Sequence, residues 1–169
     1  MHHFHHGGHG MFAYDINEIV EFLDIKEGMK VADLGAGDGR FSYAFKEKGA
    51  IVYAFDVDDY YFKDMQAKGI NTVKANLCKG INGDFDLVFM ANVYHDLVRE
   101  CKESILESLK IIAKSIAILD FNEKRLFGPP WRVKKEEAIE DMKKIGFELV
   151  KQKDLPYHYL LLFNKKIKL

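Results

Sequence analysis

The sequence predicts an α/β protein built on a seven-stranded, mostly parallel sheet, with helices on both faces and an antiparallel strand near the C-terminus. Three observations predict it. Short continuous apolar runs alternate with amphipathic segments, the pattern of strands buried on both faces and linked by crossover helices. Residues 31–41, V-A-D-L-G-A-G-D-G-R-F, read as strand, glycine turn and helix start. Near the end, two strand-like runs are separated only by Asp154-Leu155-Pro156-Tyr157. So short a link forces them antiparallel.

Taken in order, residues 15–24 form a helix. Asp15 caps it, Glu18 stands three residues later in a capping-box pattern, and Ile16, Ile19, Val20 and Leu23 make its apolar stripe. Residues 29–34 are the first strand. Residues 39–48 are helical, with Phe41, Ala44 and Phe45 on one face and Gly49 as the stop. Residues 50–57 form the second strand, with Asp56 near its end. Residues 59–68 form a helix closed by Gly69, residues 71–75 a short third strand, and residues 85–93 a fourth. A long helix over 96–113 leads to a fifth strand over 115–121. Gly128-Pro129-Pro130-Trp131 is a rigid loop. A helix over 135–145, ended by Gly146, precedes the last two strands, 147–151 and 158–163.

The 169 residues suit a single domain over 11–169 behind a histidine-rich tail over 1–10. A net charge of -1 offers no basic field for nucleic acid or a membrane surface. No apolar run approaches a membrane span and no signal peptide opens the chain, so a cytoplasmic location is expected. Cys78 and Cys101 are far apart and form no CxxC pair, so they are expected as free thiols. Five of the seven histidines, His2, His3, His5, His6 and His9, crowd the tail. Converging imidazoles bind zinc, nickel or copper, so these five are candidate metal ligands. Phe4, Phe12 and Tyr14 are apolar anchors by which the tail could fold over a site as a lid.

The glycine turn excludes two familiar ligands. A dinucleotide-binding turn needs a third small residue where this chain has Arg40. A P-loop needs Gly-Lys-Ser/Thr, which is absent. What remains is backbone brought close to another ligand, with Asp33, Asp56, Asn76 and Asn92 at the exits of four successive strands. Ligands of open α/β sheets bind at such exits.

Here the sequence resembles the class I S-adenosylmethionine-dependent methyltransferases, of Rossmann-like fold. V-A-D-L-G-A-G-D-G looks like their first motif, and the resemblance covers about residues 14–164. It implies S-adenosylmethionine as cofactor, contacted by Asp33, Gly35, Ala36, Gly37 and Gly39 of the turn. It further implies Asp56 on the ribose hydroxyls with Val57 beside it, Asn76 and Leu77 at the adenine, and Ala91 and Asn92 at the methionine moiety. The Gly-Pro-Pro loop is similar to that of small type 11 methyltransferases.

Methyl transfer from a sulfonium is a displacement that chiefly needs alignment, with a base only where the nucleophile carries a proton. Tyr94 and His95, just past strand four, are the candidate catalytic residues; Asp96 is the expected cap of the next helix. Asp120 and Glu123 stand at the exit of strand five, and His158 is expected to pack at a strand edge. With almost no insertions, the pocket is roofed by the N-terminal segment and residues 123–131, which favours a small-molecule acceptor. Two alternatives stand beside this reading. One is a cofactor-binding partner or regulatory subunit, in a heteromer or a homodimer; the other is metal handling through the tail.

Overall fold

The computed structural model describes residues 14–124 and 128–167. The elements run α1 Ile16–Leu23, β1 Lys30–Leu34, α2 Arg40–Glu47, β2 Ile51–Asp56, α3 Phe62–Ala67 and β3 Asn71–Lys74. A 3-10 turn, Leu77–Lys79, precedes β4 Leu87–Ala91, α4 Tyr94–Ile112 and β5 Ser115–Phe121. The chain closes with α5 Lys135–Lys144, β6 Phe147–Asp154 and β7 His158–Lys165.

The seven strands form one sheet in the order β3-β2-β1-β4-β5-β7-β6. Strands β1 to β5 pair in parallel, and β7 runs antiparallel to both β5 and β6. The Rossmann-like arrangement expected from the sequence is therefore present. Strand order reverses between β1 and β4, so the cleft at their carboxyl ends opens at a topological switch point.

Both faces of the sheet are covered, which is why its strands are apolar on both sides. In β4, Leu87 and Phe89 pack with α1, α2 and α3, through Ile19, Phe45 and Met65. Val88 and Met90 pack on the other face with α4 and α5, through Ile105, Leu109 and Met142. Asp15 caps α1 as expected, its carboxylate accepting the Asn17 N–H at 2.9 Å.

Three local readings are corrected. The fourth strand stops at Ala91, because Asn92 takes a left-handed φ of 59° and turns the chain out of the sheet. The long helix accordingly starts at Tyr94, with Asp96 in its first turn rather than at its cap. The third correction concerns the cysteines. They are not free: Cys78 and Cys101 are joined in a disulfide, 23 residues apart in sequence. Their spacing in the sequence carries no pairing signal; only the packing of the 3-10 turn against α4 brings them together. Closing such a loop removes unfolded-state entropy worth about 3 kcal/mol. Urea titration with and without excess dithiothreitol therefore gives a lower midpoint for the reduced protein.

Candidate functional site

The site is built on the turn after β1. Gly35 has φ of 73°, and a Cβ there would lie 2.9 Å from Val93 Cγ2. Only glycine combines that dihedral with that approach. The turn is fastened to the neighbouring strand: the N–H groups of Gly35 and Ala36 both donate to the Phe55 carbonyl, at 2.8 and 2.9 Å. The Gly37 N–H donates to Asp56 Oδ2 at 2.8 Å. Gly39 opens α2 with φ of 84°. Arg40, the residue that excluded a dinucleotide turn, folds back on Asp38, with Nη2 to Oδ2 at 2.8 Å.

Two buried acids stand beside this turn. Asp56 is buried, and its second oxygen accepts the Asp58 N–H at 3.0 Å. Asp33 is also buried and accepts the Ser42 hydroxyl at 2.7 Å. Burial, with the charges of Asp56 and Asp38 adding to it, pushes the Asp33 carboxyl up to about 7, against the opposing Ser42 hydrogen bond. Val57 is exposed beside Asp56. Asn76 is exposed at the exit of β3, where its side chain accepts the Cys78 N–H at 2.9 Å, while Leu77 is buried in the core. The cleft at the β1 and β4 exits is lined by Tyr14, Asp33, Gly35, Ala36, Asp38, Arg40, Phe41, Ala91 and Asn92. The structure thus gathers Asp33, Gly35, Ala36, Ala91 and Asn92 around one cleft and sets Asp56 at the adjacent strand end. Asn76 and Leu77 stand one strand further out.

The candidate catalytic residues separate. Tyr94 points into the core, wholly buried, and donates its hydroxyl to Asp141 at 2.8 Å. Burial and the Asp141 charge raise its pKa, so it is no base for the cleft. This corrects its nomination: the left-handed Asn92 rotates the start of α4 away from the strand direction. Tyr94→Phe should cost about 1–2 kcal/mol, because buried Asp141 loses a donor. Chemical denaturation measures that loss, and cofactor affinity stays unchanged.

His95 is buried at the exit of β4 with Nδ1 2.8 Å from Asp120 Oδ1, and its backbone N–H donates to Asp120 Oδ2 at 3.0 Å. Its Nε2 stands 3.5 Å from Asp96 and makes no hydrogen bond. Burial opposes the imidazolium, but the hydrogen bond and charge of Asp120, with the charge of Asp96, outweigh it and raise the pKa. Asp96 in turn accepts Trp131 Nε1–H at 3.3 Å, so the Gly-Pro-Pro-Trp loop is seated on the first turn of α4. Glu123 lies outside this group, paired with Lys134 at 3.6 Å on the surface.

His158 is the residue that the strand-edge reading missed. It is buried, with Nε2 3.0 Å from Asn92 Oδ1. The amide nitrogen of Asn92 donates to the Tyr14 hydroxyl at 3.1 Å. The Tyr14 ring meets His158 edge-on at 4.9 Å, and Phe121 packs at 4.6 Å. Burial lowers the His158 pKa to about 4, so the ring is neutral at physiological pH. An amide oxygen only accepts, so Nε2 carries the proton; Nδ1 is a bare, buried acceptor with no partner. Its sequence signal was weak, a histidine first in a strand that nothing local ties to Asn92.

The tail histidines His2, His3, His5, His6 and His9, like Phe4 and Phe12, lie outside the described residues. Among the described residues no cluster of three or more His, Cys, Asp or Glu could hold a metal ion. No helix among them is long and apolar enough to cross a membrane.

A glycine turn held against two acids at the switch point of this sheet is the arrangement of the class I S-adenosylmethionine-dependent methyltransferase type. Residues 13–152 match the family described as methionine biosynthesis protein MetW, and the chain belongs to that family. Among solved structures, it is similar to a SAM-dependent methyltransferase from Aquifex aeolicus, with TM-score 0.76, 26% identity and 89% of each chain covered. A TehB-like SAM-dependent methyltransferase from Corynebacterium glutamicum gives TM-score 0.71 at 22% identity, covering 95% of this chain and 91% of that one. Magnesium protoporphyrin IX methyltransferase from Synechocystis, with bound SAH, gives 0.72 at 19%, over 89% and 81%. The last two bear on the fold alone. No protein of curated function matches the sequence.

The residues present fit S-adenosylmethionine: each Asp56 oxygen keeps a lone pair beyond its backbone partner for a hydroxyl donor.

Proposed function

We propose that the chain transfers the methyl group of S-adenosylmethionine to a small protic molecule. The observation that carries this reading is the cleft beside the glycine turn, closed on one side by Tyr14 and Asn92, which His158 holds from behind. So enclosed a cleft suits a small acceptor. Asp56 takes the ribose hydroxyls with Val57 beside it. Asn76 and Leu77 border the adenine, Asp33 and Gly35 to Gly39 form the floor, and Ala91 and Asn92 flank the methionine end.

The cofactor supplies an activated methyl group on a good leaving group. What the chain adds is orientation. His158, held neutral by burial, fixes the Asn92 side chain, and Asn92 with Tyr14 shapes the wall of the cleft. His95, clamped by Asp120 and Asp96, positions the start of α4 and the Trp131 loop.

The test is incubation with methyl-labelled S-adenosylmethionine and pools of small amines, phenols and acids. Acceptor-dependent release of S-adenosylhomocysteine is expected, reduced in His158→Ala, which frees the Asn92 side chain. Release that His158→Ala does not change removes this wall from the reading.

A second reading, a cofactor-binding partner subunit acting in methionine biosynthesis, has its own support. Both side chains nominated from sequence, Tyr94 and His95, are engaged by buried acids. The family's description names that biosynthesis. No release with any pool, together with a stable complex with a second protein, decides for it.

A further inference from the structure

The disulfide joins the 3-10 turn after β3 to the middle of α4. Cys78 lies in the 3-10 turn at the exit of β3, two residues beyond Asn76. That segment hangs from the end of the strand that carries Asp56, since the Ala75 N–H donates to the Asp56 carbonyl at 3.0 Å. Cys101 lies inside α4, at the point where the helix is interrupted by φ of −158° and ψ of 50°. The turns of α4 before that break carry His95 and Asp96 at the exit of β4. The bridge therefore pins the break in α4 to the loop that borders the adenosine side.

Two further features set this bridge apart from a folding staple. The sheet is buried on both faces by extensive apolar clusters, so the domain has a core that does not depend on a cross-link. Both half-cystines are only partly buried, so an external thiolate has a route to sulfur. When the bridge opens, no covalent link remains, and the loop is held to α4 by the packing of Leu77 and Ile81 and by two hydrogen bonds. The Ser104 hydroxyl donates to the Cys78 carbonyl at 2.7 Å, and the Ile81 N–H donates to Ser108 Oγ at 3.3 Å.

We propose that Cys78–Cys101 is a reversible redox site that sets the affinity of the cleft for S-adenosylmethionine, tight when oxidised and weak when reduced. The reductant is a dithiol. Its thiolate attacks one sulfur of the bridge, the other sulfur leaves as thiolate and takes a proton, and the second thiol resolves the mixed disulfide. Two electrons pass to the protein and the dithiol becomes a disulfide. In the oxidised state the loop that carries Asn76 is ordered in advance; in the reduced state binding must order it, and affinity falls. The proposal rests on the cofactor assignment.

Calorimetric titration of the full chain with S-adenosylmethionine, oxidised and in excess dithiothreitol, tests it. Mass spectrometry confirms each state by a gain of two hydrogens on reduction. The dissociation constant is expected to rise at least about fivefold on reduction, the low end of coupling between linked sites. Cys78→Ser with Cys101→Ser, and separately Cys78→Ala with Cys101→Val, should bind like the reduced protein and ignore dithiothreitol. Circular dichroism reports whether these variants fold, and the two redox states of the natural chain give the answer without them. A bridge that is only a brace shifts the unfolding midpoint and leaves the dissociation constant unchanged, which overturns the proposal. Absence of binding in both states overturns the cofactor assignment instead, a distinct outcome.

Discussion

Replacing Asp56 with alanine should weaken S-adenosylmethionine binding by about 100-fold or more. Hydrogen bonds to a charged group are each worth about 1.5–3 kcal/mol, and a carboxylate can accept both hydroxyls of a vicinal diol. The loss is compounded because the same carboxylate anchors the glycine turn through the Gly37 N–H and the next loop through the Asp58 N–H. Asp56→Asn keeps one acceptor oxygen but aims an amide donor at one of these partners, so an intermediate loss is expected. Calorimetry with S-adenosylmethionine measures both variants. Unaltered affinity in the alanine variant would sink the assignment of this acid to the ribose.

The second large effect is a pH dependence of stability that comes from Asp33. Its carboxyl is raised from 3.8 to about 7 in the folded chain. Between about pH 4 and 7 the folded state therefore holds a proton that the unfolded state has released. Stability from this group is greatest below about pH 4 and falls as pH rises, levelling off above about 7. The difference amounts to about 4 kcal/mol, at 1.36 kcal/mol for each unit. Asp33→Asn keeps an acceptor for the Ser42 hydroxyl and removes the titration. Urea unfolding at several pH values should show a declining stability in the natural chain, and a flatter profile in the variant. Identical profiles would mean that Asp33 stays ionised and that the burial argument fails.

Element type was legible in this chain because the strands are continuous apolar runs and the helices are amphipathic, with glycine at their stops. Boundaries were less so. The residues around Asn92 continue the apolar run of β4 as far as Val93, and nothing local announces that Asn92 will leave the sheet with a positive φ. That one dihedral explains why Tyr94 faces Asp141 rather than the cleft. Asp33 and Asp56 were legible because an acid ending an apolar run is costly to bury without purpose. His158 was not, because its partner Asn92 lies 66 residues away.

What the sequence by itself determined is the scaffold and the floor of the site: a parallel sheet, a turn that only glycine can make, and acids at the strand exits. These are local facts, written in periodicity and in residues with few conformational alternatives. Only the tertiary structure decided the walls. It joined Cys78 to Cys101, set His158 on Asn92, and clamped His95 between Asp120 and Asp96. The His158–Asn92 and His95–Asp120 pairings depend on strand order, and the disulfide on how the 3-10 turn packs against α4; both are properties of how the whole sheet and its helices pack.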